Sequence, residues 1–122
     1  MPDTILSNED LEKMVDTNDA WITSRTGIKE RRILKDQDKP TSFLAIKAAQ
    51  DLISKHDINA KSIDLVIVAT ITPDMFVAAT AAYVASSIGA HNAFAYDLNA
   101  ACSGFLYGMS TSAAYITSGR YK

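Results

Sequence analysis

The segment LVIVAT at residues 65–70 decides the fold class of this 122-residue chain. It is rich in β-branched residues and does not alternate with polar ones, which is typical of a strand covered on both faces. Upstream of it, Pro40 begins a predicted helix whose apolar side chains share one face: Ala45, Ile46, Ala49, Leu52 and Ile53. A buried strand after an amphipathic helix predicts an α/β domain.

The chain downstream of this strand continues the same alternation. ATAAYVASSIG at residues 79–89 predicts a helix, and AFAYDLN at residues 93–99 predicts a second strand. CSGFLYGMSTSAAYITSG at residues 102–119 predicts a third helix that ends at Gly119. This order is typical of an α/β layered domain with largely parallel strand pairing.

Shorter elements precede Pro40. Ser7 followed by Asp10 is a capping-box pattern that predicts a short helix. DAWITSR at residues 19–25 predicts a second helical turn that stops at Gly27. IKERRIL at residues 28–34 alternates polar and apolar residues, which predicts a half-exposed strand.

The last predicted helix is apolar nearly all round. Such a helix needs protein on every side, and a chain of so few elements can hardly supply that cover. The chain also ends at residue 122, where the alternation would next deliver a strand. We therefore expect residues 1–122 to form an incomplete domain of a larger protein.

Composition excludes several function classes. The 12 basic and 14 acidic residues give a net charge of −2, which does not support nucleic-acid binding. A single cysteine excludes an internal disulfide and a cysteine-cluster zinc site, and no metal site is predicted. The sequence has neither an apolar run of about 18 residues nor a signal-peptide pattern. We therefore predict a cytoplasmic protein that binds neither membranes nor nucleic acid.

Cys102 lies between the second predicted strand and the last helix. The positive end of a helix stabilises a thiolate, and its backbone N–H groups can stabilise an oxyanion. Small neighbours leave room for a substrate carbonyl: Ala100, Ala101 and Gly104. The alternative is a buried structural cysteine, since free cysteine is among the most buried residue types.

Trp21 and Arg25 are four residues apart and therefore face the same side of a helical turn. An indole beside a guanidinium can hold a purine and meet a phosphate. The alternative is a core tryptophan beside a surface arginine. His56 and His91 are both predicted to be surface or loop residues, with His91 opening the second strand of the α/β segment.

Two motifs resemble those of a known enzyme family. DLNAACSGFLYG at residues 97–108 resembles the active-site segment of the β-ketoacyl-acyl-carrier-protein (ACP) synthase III family. NEDLEKMVDTNDAWITSRTGIKERRI at residues 8–33 is similar to the family's N-terminal signature. The resemblance implies a partial thiolase-like α/β fold that lacks its first strand and C-terminal half, with Cys102 at the start of a buried central helix.

The resemblance also implies an activity, the initiation of fatty-acid biosynthesis. Cys102 would accept an acyl group, acetyl in this family, from acyl-CoA, and malonyl-ACP would then condense with it to give a 3-oxoacyl product. Coenzyme A enters as a thioester substrate, and no cofactor is implied. Trp21 and Arg25 would flank its adenine, with Thr17 nearby. The family forms homodimers in which the strand matching AFAYD pairs with its twin.

The segment after Thr-Pro-Asp-Met departs from the family. Relatives carry Phe-Pro where this chain has Val77 and Ala78, and Phe76 falls one residue early. That phenylalanine lines the partner's acyl pocket, so the resemblance implies this role for Phe76 or Val77. The alternative is a plain lead-in to the next helix.

Three interpretations of the whole chain remain open at this point. The family's catalytic histidine and asparagine lie on motifs that this chain lacks, so an enzyme fragment is expected not to condense by itself. A second hypothesis is a non-catalytic module that associates through unpaired strand edges and the apolar helix. A third is a fragment of a sister family, the polyketide or hydroxymethylglutaryl synthases.

Overall fold

The computed structural model describes residues 1–36 and 38–121. They divide into an N-terminal unit, Met1–Asp38, and a C-terminal unit, Lys39–Lys122. The N-terminal unit contains two strands and two helices: β1 Thr4–Ser7, α1 Asn8–Glu12, α2 Asp19–Thr26 and β2 Glu30–Ile33. The C-terminal unit contains α3 Thr41–His56, β3 Leu65–Ala69, α4 Thr80–Ser87, β4 Phe94–Leu98 and α5 Gly104–Thr117.

Strands β1 and β2 of the N-terminal unit pair antiparallel, with Thr4 opposite Ile33 and Ser7 opposite Glu30. Strand β2 was predicted, whereas β1 was not. The residues of β1 do not alternate, since Ile5 and Leu6 are adjacent, and β1 owes its geometry to the pairing with β2.

The predicted start of α1 and the predicted stop of α2 are confirmed. Ser7 and Asp10 form the capping box: the Asp10 amide donates to Ser7 Oγ at 3.1 Å, and the Ser7 amide donates to the Asp10 carboxylate at 3.2 Å. Helix α2 starts at the cap Asn18 and ends at Gly27, whose φ of 70° is the left-handed conformation that favours glycine.

Strands β3 and β4 pair parallel, with Leu65 opposite Phe94 and Ala69 opposite Leu98. The predicted alternation of helices and strands in this unit is confirmed. Helix α3 begins at Thr41, so Pro40 is its cap and not its first residue.

The core of the C-terminal unit lies between the sheet and helices α3 and α4. Val68, Ala81 and Val84 form its buried centre, with partly buried neighbours around them: Ala45, Ile46, Val66 and Ala95. Leu52 was predicted to share this core but is 53% exposed, because the core lies against the N-terminal half of α3.

Helix α5 packs on the opposite face of β3, as the two-sided cover of that strand predicts. Two glycines allow the close approach. A Cβ at Gly104 would lie 3.3 Å from Ala69 Cβ, and a Cβ at Gly108 would lie 3.9 Å from Ile67 Cγ2. Helix α5 therefore approaches β3 closely at these two glycines.

The rest of α5 is uncovered within the described part of the chain. Phe105 is 72% exposed and Leu106 is 66% exposed. The helix is apolar on several faces and only one of them meets β3, so the described residues leave most of it uncovered, as expected for a chain of so few elements. Its burial in a complete synthase stays a prediction of the resemblance. Within the described ranges no helix is long and apolar enough to cross a membrane.

Candidate active site

Cys102 lies in a 3₁₀ turn, Ala101–Ser103, between β4 and α5. Its side chain is exposed, which contradicts the alternative of a buried structural cysteine. The predicted helix start was two residues too early, since α5 begins at Gly104. Cys102 therefore precedes the helix by half a turn.

The backbone of this turn is held in an uncommon conformation. Ala101 has a φ of 44°, which costs a residue with a Cβ about 1 kcal/mol or more. The Ser103 amide donates to the Ala100 carbonyl at 2.9 Å and closes the turn. This turn places Cys102 at the sheet edge directly before the helix.

The N-terminus of α5 has no side-chain cap among the described residues. Ser103 has helical backbone angles, φ −88° and ψ −5°, whereas a capping side chain usually needs extended angles. The Gly104 amide donates to the Ala101 carbonyl, so the first N–H of the helix is bonded within the turn. Among the described residues no side chain accepts from the start of α5.

Helix α4 begins at the same sheet edge, and its N-terminus is capped from β4. The Asp97 carboxylate accepts the Thr80 amide at 2.7 Å and the Ala81 amide at 2.8 Å. Sequence reasoning missed this contact. The available signal was an acidic residue inside an otherwise apolar strand, since a buried carboxylate requires partners.

Residues 70–79, the connection between β3 and α4, carry further polar contacts. The Asp74 amide donates to Thr80 Oγ1 at 3.0 Å, and Asp74 Oδ1 accepts the Ser42 amide at 3.0 Å. Thr41 Oγ1 donates to the Thr72 carbonyl at 2.6 Å. The N-termini of α3 and α4 are both tied to this connection.

Phe76 and Val77 lie in this connection and are fully exposed, at 104% and 100%. The described structure therefore gives neither side chain a place in the core of this chain. Which of them occupies the place of the family's phenylalanine stays a prediction.

The N-terminal unit brings Trp21 and Arg25 together as predicted. Arg25 Cζ lies 4.9 Å from the centroid of the Trp21 ring. Trp21 is 54% exposed, so the alternative of a core tryptophan is wrong. The Trp21 amide donates to Asn18 Oδ1 at 2.8 Å, and Thr17 lies half-buried directly before that cap.

A buried asparagine supports the helix that carries this pair. Asn8 donates to Asp19 Oδ1 at 2.7 Å and to the Ile28 carbonyl at 2.8 Å. The pKa of Asp19 is held below its ordinary value, first by the Asn8 hydrogen bond and then by those from Lys29 and Thr23. Asn8 was not predicted, because its contacts join residues that lie far apart in the sequence.

The remaining candidates lie at the surface. His56 and His91 are both exposed as predicted, but His91 lies in a turn and β4 begins only at Phe94. In residues 1–36 and 38–121 no three His, Cys, Asp or Glu side chains are grouped to hold a metal ion.

Comparison with known proteins tests the resemblance. The family described as 3-oxoacyl-[acyl-carrier-protein (ACP)] synthase III matches residues 96–122, a segment that includes Cys102. The chain is 55% identical over 122 residues to beta-ketoacyl-[acyl-carrier-protein] synthase III of Chlorobium phaeovibrioides, which covers 100% of this chain and 37% of that protein. The resemblance to synthase III is confirmed. The chain spans 37% of the length of these curated relatives.

Solved structures share the fold. The chain superimposes on 3-oxoacyl-[acyl-carrier-protein] synthase III from Aquifex aeolicus with a TM-score of 0.86 and 42% identity, covering 100% of this chain and 39% of that one. The priming beta-ketosynthase of the R1128 polyketide pathway gives a TM-score of 0.85 and 30% identity, covering 99% of this chain and 36% of that one. The predicted partial thiolase-like α/β fold is thereby confirmed.

Proposed function

We propose that this chain is the acyl-accepting part of a β-ketoacyl-ACP synthase III, an acyltransferase that initiates fatty-acid biosynthesis. The observation that carries the proposal is Cys102, exposed in the turn between β4 and α5, within the segment that matches the synthase family. The identity of 52% to 57% to curated synthase III proteins, across nearly the whole chain, supports it.

The proposed chemistry has two steps. The Cys102 thiolate attacks the thioester carbonyl of acetyl-CoA, and collapse of the tetrahedral intermediate expels coenzyme A and leaves an acetyl-enzyme. Malonyl-ACP then loses carbon dioxide, and the resulting carbanion attacks the acetyl carbonyl. The bond to sulfur breaks, which releases 3-oxoacyl-ACP and restores the thiolate.

The backbone at the start of α5 serves the charged species of both steps. The positive end of the helix, which no described side chain caps, favours a thiolate and an oxyanion next to Cys102. The catalytic histidine and asparagine belong, by the resemblance, to the part of the synthase beyond this chain. The 122 residues alone would therefore not condense.

Trp21, Arg25 and Thr17 are proposed to bind the adenine end of coenzyme A. The exposed indole and the adjacent guanidinium offer a flat surface and a cation, which suit a purine and a phosphate. Trp21→Ala in the intact protein should weaken coenzyme A binding about tenfold, since stacking on one base contributes about 1–3 kcal/mol. Calorimetry measures this, with Tyr83→Ala, another exposed aromatic, as control. Equal affinities would remove the role.

A cytoplasmic homodimer is the proposed assembly, with acyl-CoA and malonyl-ACP as substrates. Strand β4 has β3 on one side only among the described residues, which leaves an edge for its twin. Phe76 or Val77, both fully exposed, would line the acyl pocket of the second copy.

The experiment that tests the proposal is the intact mass of the protein before and after incubation with acetyl-CoA. We expect one acetyl adduct, absent from Cys102→Ser. No adduct on the unmodified intact protein would contradict the proposal. The same measurement on the 122 residues alone tells whether the turn and helix suffice for acyl transfer.

An association module is the second candidate function, and the exposed apolar surface of α5 favours it. Size-exclusion chromatography separates the two, because a monomeric chain would count against association. The similarity to the R1128 priming ketosynthase supports a sister condensing activity as an alternative. The chain is only 30% identical to that protein, however, and 55% identical to the synthase III of Chlorobium phaeovibrioides.

A further inference from the structure

Residues 70–79 are tied to the sheet and to two helices, while their tip is left free. The Thr70 amide donates to the Leu98 carbonyl at 3.1 Å and extends the strand pairing by one residue. Asp74 then binds the start of α3, accepting the Ser42 amide at 3.0 Å. Between Asp74 and the start of α4, Phe76 and Val77 are fully exposed.

Asp97, on the neighbouring strand β4, binds the start of α4. Each of its carboxylate oxygens accepts one amide, from Thr80 at 2.7 Å and from Ala81 at 2.8 Å. The Thr80 hydroxyl in turn accepts the Asp74 amide at 3.0 Å. Thr80 is 1% exposed and Ala81 is 0% exposed, so water cannot readily replace these bonds.

The position of Asp97 links the connection to the candidate nucleophile. Asp97 is the penultimate residue of β4, and Cys102 follows in the turn directly after that strand. The Phe76–Val77 tip and Cys102 therefore leave the same edge of the sheet, and Asp97 joins the two segments.

We propose that Asp97 is a positioning residue for the choice of acyl chain. Through Thr80 and Asp74 it holds the Phe76–Val77 tip in a set place relative to β4 and the Cys102 turn. The inference rests on the proposed function, in which Cys102 carries the acyl group and the tip bounds the acyl pocket of a second copy.

Asp97→Asn tests this role without a large change in side-chain volume. Asparagine has nearly the same volume, but it offers one acceptor oxygen and turns an NH₂ group toward the second amide. The tip should then move more freely, and the pocket should discriminate less by chain length. The ratio of acylation rates with acetyl-CoA and octanoyl-CoA should move toward one by about fivefold.

The experiment measures both acylation rates of Cys102 by intact mass, in the intact protein that contains this chain. The matched control is Asp51→Asn, which changes an exposed aspartate paired with Lys55 on α3. A second pair of variants tests the relay: Thr80→Val removes the hydroxyl that binds Asp74, and Thr80→Ser keeps it.

We expect Asp97→Asn and Thr80→Val to change the ratio, and Asp51→Asn and Thr80→Ser to preserve it. A merely structural role would lower both rates together, and an unchanged ratio in a variant that still forms the adduct would overturn the inference. If Asp97→Asn does not fold, the Thr80 pair decides in the same way. The absence of any adduct on the unmodified protein would instead overturn the proposed function, and the role of Asp97 with it.

Discussion

Helices α4 and α5 start at the same edge of one parallel sheet, but their N-termini are occupied differently. At α4 the Asp97 carboxylate lies 2.7 and 2.8 Å from the first two amide nitrogens. At α5 none of the described side chains caps the helix, and Cys102 lies in the turn before it. The start of a helix attracts negative charge. The fold itself supplies that charge at α4, whereas at α5 no described side chain supplies it.

The difference has a simple conformational origin. The residue before α4, Ala79, has extended angles, φ −62° and ψ 130°, and cannot cap through its methyl group, so a carboxylate from β4 takes the place. The residue before α5, Ser103, has a hydroxyl but helical angles that are unsuited to capping. A capping side chain is therefore not enough, since the backbone must also present it.

Removal of the internal carboxylate should give the largest effect. Asp97→Ala leaves two buried amides at the start of α4 without their acceptor, and we expect the free energy of unfolding to fall by about 3 kcal/mol. Urea denaturation measures this. Asp51→Ala, which breaks the exposed pair with Lys55, should cost less than about 1 kcal/mol. If both variants lose a similar free energy of unfolding, the α4 cap does not contribute more than an exposed ion pair.

A carboxylate placed at the open helix start should have an intermediate effect. Ser103→Asp sets a negative charge next to Cys102, and we expect acylation by acetyl-CoA to slow about fivefold, since a like charge within a few ångströms disfavours the thiolate by on the order of 1 kcal/mol. Ser103→Asn has the same shape without the charge and should keep the rate. If both variants slow acylation equally, bulk and not charge is the cause.

The smallest expected effect concerns a third helix start, that of α2. Hydrogen bonds from Asn8, Lys29 and Thr23 hold the pKa of Asp19 below its ordinary value of 3.8. A carboxylate whose pKa is lower in the folded state stabilises the fold above its unfolded pKa, and this stabilisation is lost as the pH falls through the folded pKa.

Asp19→Asn should therefore reduce the loss of stability on acidification below about pH 4. Urea denaturation at neutral and acidic pH measures this, with the exposed Asp16→Asn as control. An unchanged pH dependence in Asp19→Asn would contradict the assignment. The contribution of Asp10, whose pKa is also lowered, first by the Ser7 side chain, remains in both variants.

Local patterns predicted most elements of the chain because their causes are local. The capping box at Ser7, the stop at Gly27 and the β-branched run of β3 each depend on a few adjacent residues. Strand β1 could not be predicted in this way, since its four residues become a strand only by pairing with β2.

The candidate site likewise has some features that depend on adjacent residues and others that depend on distant ones. The i,i+4 spacing predicted the contact of Trp21 with Arg25, and the strand–helix junction predicted the place of Cys102. The acidic residue in the apolar strand β4 marks Asp97 as needing partners, but the partners of Asn8 and Asp97 could not be predicted. Asn8 reaches Ile28, 20 residues away, and Asp97 reaches Thr80, 17 residues away.

The sequence by itself determined the alternation of helices and strands and the motif around Cys102, because hydrophobic period and residue chemistry are properties of short segments. Only the tertiary structure decided that Cys102 is exposed in a turn before α5, that Asp97 fills the start of α4, and that most of α5 is uncovered within the described residues. These features depend on contacts between residues that lie far apart in the sequence, and local sequence patterns do not specify such contacts.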